Sequence, residues 1–204
     1  MRGEKKSEVN DAGGAGGPGT AASSPCNPCA AGGTGRKKVS DAEAARLFAA
    51  LLPELRSLYA KGDHPAVRQA WTEWKNFVRT PYIAETHGER YAVNLANDIA
   101  AGVYGQYREL KEMPAGGIIA KPSFMVDASG KAVPAPLYIM EKMPKGWNPA
   151  TADWRYAMIL PGGRTWGMTK GVNSAGMRFC HECHAGVKDN DYLFFAEEKY
   201  FIRK

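Results

Sequence analysis

Near its C-terminus the chain reads Cys180-His181-Glu182-Cys183-His184, two thiols three positions apart with an imidazole directly after the second. That spacing is the attachment signature of a c-type haem. Each thiol adds to one vinyl group of the macrocycle, and the adjacent histidine is then held beneath the iron as proximal ligand. Cys180 and Cys183 are the expected thioethers, and His184 the expected axial ligand, of one covalently attached haem c. Half of a zinc site or a redox-active cysteine pair is the alternative, but a redox C-x-x-C does not need the histidine that follows. Whatever else it does, a chain built this way must fold around a large flat apolar group.

The remaining cysteines, Cys26 and Cys29, form a second C-x-x-C with no histidine after it. A four-thiolate zinc site made from both pairs would have to bridge most of the chain, whereas zinc ribbons space their pairs by tens of residues at most. A disulfide or two idle thiols is the simpler reading. Residues 1–40 are dominated by Gly, Ala, Ser, Pro and charge, with Val9 and Val39 the only large aliphatic residues after Met1. Such a segment buries too little apolar surface to offset its ordering entropy and is expected to be a disordered arm or linker.

The arm carries six basic and three acidic residues, so half of the net charge of +6 lies there and the rest of the chain is only mildly basic. With no basic helix, no glycine-rich phosphate loop and no aromatic-basic repeat, nucleic acid is not an expected partner. A mildly positive face suits an acidic redox partner protein. Residues 41–204 form one domain-sized unit, long enough to bury about two-thirds of its unfolded surface. No stretch reaches the roughly 18 apolar residues of a transmembrane helix, and the first residues lead into no apolar signal core. Covalent haem c is ordinarily installed outside the cytoplasm, so a periplasmic or secreted location is expected although no export signal is present in this chain.

The folded unit opens with a helical pattern. Ser40 with Glu43 forms a capping box, and Leu47, Leu51 and Leu55 recur at helical spacing with Phe48, Leu52 and Tyr59. Pro53 is expected to kink or split this helix. A second helix is expected from Asp63 or His64, with Pro65 in its first turn and Val67, Trp71, Trp74, Phe77 and Val78 on one side. His64 reads as a helix-start residue. A short strand-like run follows at Arg90 to Asn94, then helical spacing from Asn97 through Leu110, ended by Gly116 and Gly117.

From Ile118 to about Thr169 the pattern is short β-rich runs split by turns, which predicts an antiparallel meander sheet. A last helical turn carries the pentad, and Tyr192 to Phe195 closes the structure. A small all-helical electron carrier normally places its pentad near the start, and here only 20 residues follow His184. Long helices of a four-helix bundle are forbidden by the prolines at 114, 122, 134, 136, 144, 149 and 161. The expected fold class is therefore α+β, an antiparallel sheet with N-terminal helices and the haem attached near the C-terminus.

From about Trp74 to Phe195 the chain resembles the cytochrome P-460 family, whose sheet-rich fold is shared with the beta-type cytochromes c-prime. The resemblance is carried by His87-Gly88-Glu89-Arg90-Tyr91 with Asn94, and by Met113-Pro114-Ala115-Gly116-Gly117 leading into Ile118-Ile119-Ala120-Lys121. Met140-Glu141-Lys142, Trp147-Asn148-Pro149 with Asp153-Trp154, the pentad and Asp191 to Phe194 complete it. It implies a five-coordinate haem c, commonly in a homodimer. It further implies redox chemistry on small nitrogen compounds such as hydroxylamine, or the binding of nitric oxide or carbon monoxide.

In the enzymes of that family a strand lysine after the glycine turn is bonded to the porphyrin edge, and the matching position is Lys121. The family more often follows it with glutamate, whereas this chain has Pro122, which removes a ladder donor and restricts Lys121 itself. An ordinary strand lysine is thus the competing reading. Hydroxylamine oxidation also needs a base near the distal face, because protons leave with the electrons. By order along the chain Glu141 is the candidate, against a strand glutamate paired with Lys142 or Arg155. An open distal face admits small nitrogen oxides, while a strong protein ligand there makes electron transfer the default. His87, in a turn that Gly88 makes permissive, and Met125, Met140, Met143, Met158, Met168 and Met177 are the residues able to supply such a ligand. For each methionine core filling competes, and for His87 a loop hydrogen bond.

Overall fold

The computed structural model describes residues 35–62, 64–68 and 71–203. Most of the arm, with Cys26 and Cys29, lies outside these residues. Residues just ahead of Asp41 already pair with the strands: the Lys37 N–H donates to the Val126 carbonyl at 2.9 Å and the Val39 N–H donates to the Tyr91 hydroxyl at 2.8 Å.

Helix α1 (Asp41–Tyr59) starts where the capping signal puts it, the Ser40 hydroxyl accepting from the Glu43 N–H at 3.3 Å. Leu47, Leu51, Leu55 and Tyr59, four residues apart, form its buried seam. The helix is not split at Pro53 but runs through it. An interior proline costs about 3 kcal/mol, while burying the seam returns about 1.5–3 kcal/mol per large apolar side chain.

The second expected helix is replaced by a single turn, α2 (Pro65–Arg68), a 3₁₀ turn at Trp71–Glu73 and strand β1 (Lys75–Asn76). One helical stripe would have held all its aromatics on one side. Instead Trp71 packs edge-on against Tyr59, ring centroids 5.8 Å apart, while Phe77 joins Tyr104 and Phe201 in a separate core.

The chain continues through β2 (Tyr82–Ala84), β3 (Arg90–Ala92), β4 (Leu95–Ala96) and helix α3 (Asp98–Tyr104). Asn97 caps α3 by accepting from the Ala100 N–H at 3.0 Å. This helix stops well short of Leu110, and the following Tyr107–Glu109 is a 3₁₀ turn. Then come β5 (Ile118–Lys121), β6 (Ser123–Val126), β7 (Ala132–Pro134), β8 (Leu137–Lys142), β9 (Trp154–Ile159), β10 (Thr165–Met168) and helix α4 (Arg178–His184).

The fold is α+β, but the β-rich half is two antiparallel sheets rather than one meander. Their strand orders are β1-β4-β5-β8-β9-β10 and β2-β3-β6-β7. Pro122 marks the departure from one sheet to the other: without an N–H it ends β5, and Ser123 opens β6 in the second sheet. Strands β8, β9 and β10 do form a meander, and β5 pairs directly with β8.

The six-stranded sheet is covered on both faces, which decides where every strand residue points. Ile118, Ala120, Leu137, Ile139, Ala157 and Ile159 pack in the core that holds the α1 seam. Their neighbours one position along, Ile119, Tyr138, Met140, Tyr156 and Met158, pack in the opposite core with Leu193, Phe179 and Cys180 of the C-terminal segment.

Candidate haem-binding cavity

Helix α4 is seven residues long, and the i, i+3, i+4 relation of Cys180, Cys183 and His184 gathers them on one side of it. All three line a cavity of about 700 Å³, counting its open mouth, between α4 and the second face of the six-stranded sheet. The sheet contributes Ile119, Tyr138, Met140 and Tyr156, and Phe179, Leu193 and Phe194 add apolar surface.

His184 is 8% exposed and its Nδ1 donates to the Tyr192 carbonyl at 2.6 Å. That bond fixes the tautomer and leaves the Nε2 lone pair for a metal. Burial pushes the His184 pKa down to about 4, with Lys121 and His181 acting in the same direction and the Tyr192 bond opposing. The imidazole is therefore neutral at pH 7, the form that ligates.

The carbonyl that orients His184 sits in an unusual loop. Asp191 and Tyr192 both take left-handed backbone conformations, φ 49° and 63°, which non-glycine residues adopt only when held there. The restraint is the Asp191 carboxylate. It accepts from the Met113 N–H at 2.7 Å, from Lys142 Nζ at 2.7 Å and from Trp154 Nε1 at 3.3 Å. The Asp191 carbonyl accepts from the same indole at 3.0 Å. Lys142 and Asp191 are 9% and 8% exposed at their side chains, so this is a buried ion pair tying the ends of β8 and β9 to the loop beneath His184. Sequence reading missed this role. Asp191 was legible as part of a motif, but its partners lie 37 to 78 residues away.

Lys121, the last residue of β5, lines the cavity. Its Cα partner across the ladder is Tyr138, so both face the same side, and its Nζ lies 6.0 Å from the centre of the Tyr82 ring. Glu141 is placed otherwise. It shares strand parity with Leu137 and Ile139, on the α1 side of the sheet, and is not among the lining residues. Arg155 is its direct cross-strand partner, and the guanidinium donates to the Glu141 carboxylate through Nε at 3.1 Å and through Nη2. The expectation of a carboxylate base at the distal face thus meets a glutamate occupied in an ion pair on the other face.

His87 does reach the cavity. Burial first, then the electrostatic effect of Lys121, His184 and Arg90, holds it well below the ordinary imidazole pKa. Of the methionines considered as ligands, Met140 alone is among the lining residues described, and Met158 and Met177 are buried core. His64 is elsewhere, its Nδ1 accepting from the Ala66 N–H at 3.2 Å.

Two observations fit this cavity to a c-type haem. Its donor set is two thiols at attachment spacing with a neutral imidazole beside them. Tyr156, on the sheet wall, buries a hydroxyl that has no hydrogen-bond partner among the described residues, a cost of about 1–3 kcal/mol unless a bound group or water satisfies it.

Among the described residues no helix is long and apolar enough to cross a membrane. No match is found among curated proteins. The family model for cytochrome P460 matches residues 69–195, a span that takes in both walls of the cavity, the pentad and the Asp191 loop. With more than half of the chain matched, and with the donors of that span converging on one cavity, the chain belongs to the cytochrome P460 family of haem proteins.

Proposed function

We propose that this chain is an exported monohaem c-type cytochrome. Cys180 and Cys183 hold the haem and His184 binds its iron. Its work is electron exchange with a redox partner protein, or binding of nitric oxide or carbon monoxide, rather than oxidation of hydroxylamine. One observation carries the choice: the cavity gathers Cys180, Cys183, His184 and Lys121, but leaves Glu141 outside, paired with Arg155. Bound there, the haem supplies a one-electron iron couple. The protein's part is to orient His184 through the Tyr192 carbonyl and to exclude water with an apolar wall. Lys121 places one positive charge beside the ring.

Hydroxylamine-dependent reduction of an artificial electron acceptor tests this directly. We expect no turnover above free haem from the matured protein, and no change in Glu141→Gln. Turnover that falls at least tenfold in Glu141→Gln, at equal haem content, would restore the catalytic reading and the glutamate's role in it.

The nitrogen-redox reading keeps one point in its favour, the presence of Lys121 on the cavity wall, from where its amine can approach the porphyrin edge. The optical spectrum separates the two. A c-type Soret band unchanged in Lys121→Ala is the expected result. A markedly red-shifted band that the substitution abolishes would mean a lysine bonded to the ring, and with it altered ring electronics suited to hydroxylamine.

A further inference from the structure

The cavity wall is chemically uneven. Among the described residues its lining holds one lysine, Lys121, no arginine and no carboxylate. Lys121 takes part in none of the ion pairs among the described residues. It is nevertheless half-buried at the end of β5, and a charge withdrawn from water costs free energy until an opposite charge compensates it. The contact of its Nζ with the Tyr82 ring, 6.0 Å from the centroid, is at the outer limit of cation–π attraction and compensates little.

Strand register separates this cation from the two thiols. The Tyr156 ring, 5.4 Å from that of His184 and 6.0 Å from that of His181, marks the pentad end of the sheet wall. Tyr156 pairs with Met140 on β8, and Met140 with Ile119 on β5, two residues before Lys121. Two strand spacings of about 4.8 Å and two residues of about 3.3 Å put the Lys121 backbone roughly 12 Å from that of Tyr156. Further positive charge backs this far end. Tyr138, the cross-strand partner of Lys121, accepts at its hydroxyl from Arg90 Nη1 at 2.9 Å, and Arg90 is 4% exposed. Arg90 also donates to the His87 carbonyl at 2.6 Å, and Arg36 to the carbonyl of Gly88.

A haem c carries its two propionate carboxylates on the edge of the macrocycle opposite the vinyl edge. With the vinyl edge held at Cys180 and Cys183, the carboxylates belong at the end of the cavity where Lys121 stands. We propose that Lys121 is the counter-ion of a haem propionate, an ammonium–carboxylate pair remote from the pentad. This rests on the haem reading above and gives Lys121 a role other than a bond to the ring. An ammonium has no lone pair, so a lysine held in this pair does not attack the porphyrin edge. The pair secures the edge of the ring that the thioethers leave free, and it asks nothing of the iron's sixth position.

The test is resonance Raman spectroscopy of the matured, haem-loaded protein, which reads the propionate bending mode, together with the midpoint potential. That mode moves to lower frequency when a carboxylate loses a strong donor. It should shift down in Lys121→Met and stay in place in Lys121→Arg, which keeps the charge. The potential should fall in Lys121→Met, because an uncompensated carboxylate favours the ferric state, and be restored in Lys121→Arg. Lys121→Gln, neutral and polar, gives the same readout should the methionine variant not fold. A propionate mode unmoved in the neutral variants overturns the pair, whatever the potential does. So does an unaltered protein whose haem is bonded to Lys121. Failure of the underlying reading looks different: no haem survives denaturation with the chain, and the role given to Lys121 falls with it.

Discussion

Replacing both Cys180 and Cys183 with alanine should abolish the covalent haem attachment proposed for the pentad. Denaturing mass spectrometry of the double variant, produced alongside the c-type maturation machinery, should show the bare chain, and of the unaltered protein the chain plus one haem. Single variants should retain a fraction through the remaining thioether. The reasoning is local: two thiols separated by one helical turn line the same cavity as the imidazole they flank, and thioether formation needs each sulfur within bonding reach of a vinyl group. The experiment also interrogates Lys121. Covalent haem that persists in the double cysteine variant and disappears when Lys121→Ala is added would place a third bond at the lysine. Covalent haem retained even then would sink the assignment of the pentad.

Replacing Asp191 with alanine should cost about 3–5 kcal/mol of folding stability, the usual result of removing one member of a buried ion pair and leaving the other charge unpaired. Here Lys142 would be stranded in a nearly closed pocket, and the Met113 N–H and Trp154 indole would each lose an acceptor. The midpoint of thermal unfolding should fall by on the order of 10 °C. A second consequence distinguishes a positioning role from a merely structural one. The loop that presents the Tyr192 carbonyl to His184 would lose the restraint that holds two residues at positive φ, so the iron spectrum should become heterogeneous even where the protein is fully folded. The paired variant Asp191→Leu with Lys142→Met, which removes both charges, should recover much of the stability but not the spectrum. A single variant within 1 kcal/mol of the unaltered protein would mean that the pair contributes nothing.

The features legible from the chain alone are those set by residues close together in sequence. The α1 cap and seam are of this kind, as are α4 with its three donors and the turn chemistry at Gly88 and Gly116. Each depends on contacts three or four residues apart, and spacing reports those directly. The α+β class was legible for a related reason, since closely spaced prolines exclude long helices wherever they fall.

What spacing could not supply was strand parity and register. In a sheet covered on both faces, polar alternation no longer marks which side is which, so nothing in Met140-Glu141-Lys142 says that Met140 faces the cavity while Glu141 faces Arg155. The same blindness hid the join between Asp191 and Lys142, and the meeting of His87 with His184 across 97 residues of chain. The second helix failed because its apolar residues serve two cores, a division that exists only once the sheet stands between them. Local chemistry in the sequence was enough to point to a haem protein and to the donors proposed to hold it. Which groups line the cavity opposite the pentad was decided by long-range pairing of strands, whose energy comes from burying both sheet faces at once and leaves no periodic trace in any single segment.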